Sequence, residues 1–357
     1  MTGILQGALG GGRALLVGWI LPSLINVLIF GFVAAPELTG LGVDAPRAAL
    51  FVLIATAVLG LVLAALQTPL YRVLEGYLGW PERLAQAGRR RHLAEKHLLR
   101  NRLDAASLVA KERAGVLTDT ERSALAEFRA HPVTRRYVDT DIRKGAVWLA
   151  LLEERLYRYP VDDQQVAPTR LGNAIRRFEE YGYDRFRLDS QVLWHELNAA
   201  VDEPARKQTD DARMSVDFFV SLLYGHLLVT VAIAVSLAVG AVDRPWLAVP
   251  ALLVLPVLAA IWYRLAVVAT DEWAGAVRAM VNLGRLPLAT SLGLSLPTKL
   301  EDERAMWQLV SELVSTRFRP GLSALDAYRA TPDSKMLPPT TDDSGDRRGS
   351  TAPADQS

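Results

Sequence analysis

The chain has 357 residues, of which 50% are hydrophobic and 22% charged, with a formal net charge of +1. It is too apolar for an ordinary soluble protein and too charged to be wholly embedded in lipid, so different segments must meet the two demands. The balanced charge leaves no nucleic-acid footprint, and the absence of cysteine excludes disulfides, thiolate metal sites, iron–sulfur clusters and cysteine nucleophiles.

Two uncharged runs open the chain, at about 14–36 and 48–71, separated by a connector carrying Glu37, Asp44 and Arg47. Each is long enough as a helix to cross a hydrocarbon core of roughly 30 Å. The first is longer than the apolar core of a signal peptide, about 7 to 15 residues, and feeds directly into the second. On the second run Thr56, Gly60 and Ala64 recur every fourth residue, a small-residue face on which another helix can pack closely. Beyond it stand Arg72, Arg83, Arg89, Arg90, Arg91, Lys96, Arg100 and Arg102, whereas the connectors at 37–47 and 243–244 hold one arginine each. The positive-inside bias therefore predicts that both termini and the central segment are cytoplasmic. Arg89, Arg90 and Arg91 are candidates for drawing anionic lipid headgroups, at about 1 kcal/mol per basic residue, or for fixing topology.

The central segment, 79–216, reads as helical. Pro81 suits the first turn of a helix over 82–113. Thr118-Asp119-Thr120-Glu121 has the spacing of a capping box, and its helix is expected to stop near His131-Pro132. A further helix is predicted over 142–159, with Val147, Leu151, Leu152 and Leu156 on one side. Pro168 and Thr169 then open an amphipathic helix whose apolar face is Leu171, Ala174, Ile175, Phe178 and Tyr181. Asp189 is the expected cap of the next helix. No alternating pattern of useful length occurs, so no sheet is expected.

The stretch 217–270 organises the chain. An uncharged run at 218–242 is followed by the break Asp243-Arg244-Pro245 and a second apolar run at about 245–264. Helix is expected to continue over 271–286 and to be interrupted at Leu292 to Pro297. A second capping box, Thr298 to Glu301, precedes Met306, Trp307 and Val310. The polar composition of 331–357 predicts a disordered tail. The fold class implied is all-α: a polytopic membrane protein with four transmembrane helices as two hairpins, at 1–78 and 217–270. A helical cytoplasmic domain lies between them, and a cytoplasmic helical segment follows at 271–330.

Polar groups within the spans are the candidate sites. Asn26 and His226 must face protein or water, because a polar group in hydrocarbon is costly. His226 is open to two readings, a proton-sensitive pore residue or a neutral hydrogen-bonding partner between helices. Arg264 closes the fourth span, and an Asp217–Arg264 ion pair is expected at its cytoplasmic mouth. His195-Glu196 begins like H-E-x-x-H, but Ala199 stands where the second histidine is required. The glycines at 7, 10, 11 and 12 lack the strand and the Lys-Ser or Lys-Thr of a phosphate loop. No catalytic residue, metal site or cofactor is assigned.

Two stretches carry a resemblance: Pro168-Thr169-Arg170-Leu171-Gly172-Asn173 through Leu188-Asp189-Ser190-Gln191-Val192-Leu193-Trp194, and Leu294-Ser295-Leu296-Pro297 to Glu303-Arg304-Ala305-Met306-Trp307. They resemble an uncharacterised family of bacterial, largely actinobacterial, multi-pass membrane proteins, which implies a bacterial inner-membrane location and transfers no functional residues. The expected function is a membrane-anchored helical interaction or sensing module, in a homo-oligomer or with a protein partner. The alternative is a subunit of an oligomeric channel or transporter, with Asn26 and His226 lining its pore.

Overall fold

A backbone in hydrocarbon must satisfy its own hydrogen bonds, and apolar runs of this length do so as helices. The computed structural model describes residues 12–35, 45–242 and 244–330. The expectations for the tail at 331–357, for most of the first connector and for Gly7, Gly10 and Gly11 lie outside them. Four helices are long and apolar enough to cross a membrane. No strand occurs among the described residues, which hold one isolated bridge, Leu294 to Arg329.

Helix α1 (Gly12–Ala34) contains a π-helical turn at Leu16–Ile20, and α2 (Ala45–Ala65) follows. The packing face read from Thr56 and Gly60 is used, since a Cβ at Gly60 would stand 2.5 Å from Ile20 Cδ1. Helix α2 ends earlier than its uncharged run. Leu66 leaves helical geometry and a separate helix, α3 (Gln67–Glu75), begins where Gln67 and Thr68 bring polar side chains. Gly76 closes α3 at φ +89°, a conformation that favours glycine.

The polar body begins with α4 (Glu82–Arg113), α5 (Asp119–Ala130), α6 (Arg135–Arg143) and α7 (Ala146–Tyr157). The capping box at Thr118 and Glu121 forms as read. The single helix expected over 142–159 is instead divided at Gly145, whose φ of +84° ends α6 and starts α7. In α7, Leu152 is fully buried against Leu99 and Tyr159, while Val147 and Leu151 are exposed.

Next come α8 (Arg170–Glu179), α9 (Tyr181–Phe186) and α10 (Trp194–Ala200). Thr169 caps α8 by accepting from Gly172 N at 3.0 Å, and Leu171, Ala174, Ile175 and Phe178 are all buried. Asp189 accepts from Gln191 N and Val192 N at 3.1 Å, but it stabilises a turn; helix resumes only at Trp194.

Helices α11 (Glu203–Ala238) and α12 (Pro245–Ser291) have 36 and 47 residues. Their apolar halves continue into their polar halves without a break, and the two pack against each other extensively. Finally α13 (Leu300–Ser315) starts at Lys299 without a side-chain cap, so the second capping box is not formed. Glu301, Asp302 and Glu303 occupy its first turn, where their charge favours the helix dipole.

Three clusters tie the long pair to the rest. Val33, Val229, Ile233 and Leu255 join α1, α11 and α12 at one end. In the middle, Leu171, Ile175 and Phe178 of α8 meet Val216, Val220, Ala266 and Val277. At the far end of α12, Met280 and Leu288 pack with Leu193, Leu197, Met306 and Trp307. By contrast Leu53, Ile54 and Val58 of α2 and Leu253 and Val257 of α12 are exposed. An apolar face of that extent suits a hydrocarbon solvent better than water.

Candidate functional site

Three cavities lined by charged side chains lie where the apolar halves of α11 and α12 give way to the body, one of them, about 570 Å³, bordered by Glu153, Glu154, Arg177, Asp271 and Arg278. The first of the other two, about 320 Å³, is lined by Glu95 of α4, Arg155 and Arg158 of α7, Arg170 of α8, and Tyr263 and Arg264 of α12. One apolar face and one hydrogen bond explain how charges from four helices meet. Helix α8 is held to α12 by its buried face, and Leu171 N donates to Tyr263 Oη at 3.3 Å.

The four arginines are not equally neutralised. Arg158 donates to Asp271 at 2.6 and 3.0 Å and also pairs with Glu154. Arg170 is 3.9 Å from Glu95. Arg155 lies 6.0 Å from the Trp148 ring, and Arg264 has no carboxylate partner among the described residues. At the rim, Tyr159 Oη lies 3.1 Å from His92 Nδ1, and burial, with Glu95 nearby, pushes the phenol up from its ordinary range.

The expected Asp217–Arg264 pair is therefore corrected. Asp217 accepts from Tyr71 Oη and from Gln67 Nε2, both at 2.8 Å, with Arg213 one turn earlier at 4.0 Å. Depth along the helices placed Asp217 and Arg264 at similar levels, but the facing direction decides the partner. Helix α3 brings Gln67 and Tyr71 onto Asp217, while Arg264 opens onto the arginine cavity.

The second cavity, about 210 Å³, is lined by Gln67, Tyr71, Glu75, Arg176, Glu179 and Trp273 among others. Burial is the main cause that pushes Glu75 up to about 7, and the charge of Glu179 adds to it; Arg72 and Arg176 oppose. Arg176 is shared between Glu179 at 3.1 Å and Glu180 at 2.7 Å. The indole N–H of Trp273 is buried without an acceptor.

The intramembrane candidates are packed between helices. Asn26 is fully buried, its Nδ2 donates to Pro22 O at 2.8 Å, and a Cβ at Gly225 would overlap its carboxamide. Its Oδ1 has no donor, and the residue borders an apolar cavity of about 300 Å³ together with Phe30, Phe51 and Leu228. His226 Nε2 accepts from Trp262 Nε1 at 3.4 Å, and its Nδ1 is unpartnered. Asn26 and His226 are neighbours of the same helix contact, but His226 turns toward α12 and Asn26 stays with α1.

Arg89, Arg90 and Arg91 are exposed on α4, where Arg89 donates to Gln164 O at 2.6 Å. His195 is exposed on α10. No group of three metal-ligating side chains occurs among the described residues. The arginine cavity escaped the sequence reading because its members come from four helices. Its one local signal is the pair Tyr263-Arg264 directly after an apolar run. Comparison with known proteins returns no matching family model, no matching curated protein and no matching solved structure.

Proposed function

We propose that the chain is an integral inner-membrane protein of a bacterium, with four spans arranged as two hairpins that anchor a cytoplasmic helical module for interaction or sensing. One observation carries this reading. Helices α11 and α12 pass without interruption from apolar to polar sequence, and α8 is packed onto both through Leu171, Ile175 and Phe178. A module joined in this way moves with its spans and reports their position. The family resemblance of the stretches at 168–194 and 294–307 points to the same setting.

The pore reading receives less support, because Asn26 and His226 are engaged with Pro22, Gly225 and Trp262. The test uses the absence of native cysteine. A single Ala150→Cys variant, exposed on α7, is expected to react with an impermeant maleimide only after cell lysis; labelling in intact cells overturns the topology. Reconstituted liposomes are expected to show no ion flux; flux abolished by His226→Leu establishes the channel instead.

A further inference from the structure

We infer that the arginine cavity at the junction of α4, α7, α8 and α12 binds a phosphate-bearing anion, and that the anion is presented at the level of the lipid headgroups. The inference rests on the membrane-anchored reading for its location and on charge and geometry for its chemistry.

The charge argument begins with what is left unpaired. Arg158 is committed to Asp271 and Glu154, and Arg170 has a loose partner in Glu95 at 3.9 Å. Arg155 and Arg264 bring two further guanidinium groups to the same space with no carboxylate of their own among the described residues. Like charges gathered in a concave site repel one another, and an anion relieves that repulsion. Guanidinium suits phosphate because its planar fork donates two parallel hydrogen bonds to two oxygens. The volume, about 320 Å³, is ample for a phosphate group.

Location follows from α12. Between Arg244 and Arg264 no residue is charged. At about 1.5 Å per residue that stretch is roughly 28 Å long, close to the thickness of a hydrocarbon core. Arg264 therefore stands where the core ends, beside Trp262 and Tyr263, aromatic residues of the kind that settle at that depth. Val257, Ile261 and Val268 share its helix stripe and are exposed. An acyl chain can lie along that stripe while its phosphate enters the cavity. The run of basic residues along the sequence points to Arg89, Arg90 and Arg91, yet these are exposed on α4 and none of them lines the cavity.

The test is thermal unfolding of the detergent-solubilised protein, titrated in parallel with phosphatidylglycerol, phosphatidylcholine and inorganic phosphate. Phosphatidylglycerol is expected to raise Tm where phosphatidylcholine does not. In an Arg155→Gln/Arg264→Gln variant, the half-saturating concentration is expected to rise about thirtyfold, from about 1 kcal/mol per lost cation. An Arg155→Lys/Arg264→Lys variant keeps the charge and is expected to retain part of the effect, which separates lost binding from lost folding. A response to phosphatidylglycerol alone assigns the anion to a lipid; an equal response to inorganic phosphate assigns it to a soluble phosphate. Equal stabilisation by phosphatidylcholine, or an unchanged response in the glutamine variant, overturns the inference. Because the titration is done in detergent, it fails or succeeds independently of the maleimide test of topology.

Discussion

Asp271 holds Arg158 and Arg177 at once: Arg158 Nη2 reaches its Oδ2 at 2.6 Å, and Arg177 Nη2 reaches its Oδ1 at 3.2 Å. One carboxylate on α12 thus clamps the end of α7 and the face of α8. Burial lowers the Arg177 guanidinium from its ordinary value, and Asp271 is the charge that opposes this without cancelling it. Asp271→Asn is expected to destabilise the protein by about 2 kcal/mol, less than a fully buried pair because solvent reaches the carboxylate. Glu154→Gln, on the exposed side of Arg158, is expected to cost about 0.5 kcal/mol or less. Denaturation midpoints in detergent check the contrast; equal losses would remove the clamp.

Glu75 makes stability depend on pH. Its folded pKa, about 7, lies above the ordinary 4.5, so between these values the folded chain holds a proton that the unfolded chain has lost. Stability therefore falls as pH rises from about 4.5 to about 7 and levels off above. Glu75→Gln is expected to flatten this contribution and to raise Tm at pH 8. Glu179→Gln, which removes a repelling charge, is expected to shift the fall to lower pH. Melting curves across pH 4.5 to 8 measure both.

Two glycines on different helices should respond in opposite directions. A Cβ at Gly88 would stand 2.5 Å from Pro168 O, a backbone atom that cannot swing aside. Gly88→Ala is expected to cost about 1–3 kcal/mol by separating α4 from the start of α8. Gly275, within α12, has nothing within 4 Å of a Cβ. Gly275→Ala is expected to stabilise by about 0.5–1 kcal/mol through helix propensity. Urea or thermal midpoints of the two variants give the comparison.

A polar group buried without its full set of partners tests the intramembrane reading. Asn26 keeps one hydrogen bond, to Pro22 O, and leaves Oδ1 without a donor. Asn26→Leu, similar in size, is expected to change stability by no more than about 1 kcal/mol, since a lost bond and a removed orphan offset each other. A loss well above that, read as Tm in detergent, would assign the carboxamide a partner beyond this chain.

Local chemistry was the legible part of the sequence. Uncharged length marks the four apolar helices, the Thr118 box marks the start of α5, and the spacing of Leu171, Ala174, Ile175 and Phe178 marks the buried face of α8. Facing direction was not legible. Asp217 found Tyr71 and Gln67 because α2 ends at Ala65 and α3 turns those residues toward it, a break that an uncharged run conceals. The same holds for the cavity, whose arginines are separated in sequence and converge only through the docking of α8.

The length of α12 has a mechanical consequence. From Arg264 to Ser291 the helix extends roughly 40 Å beyond the apolar stretch, at about 1.5 Å per residue. Helices answer a thinner bilayer by tilting, so a rotation of about 10° would swing Ser291 sideways by roughly 7 Å. Met280, Leu288 and the α13 side chains packed on them would travel with it, turning lipid thickness into displacement far from the lipid.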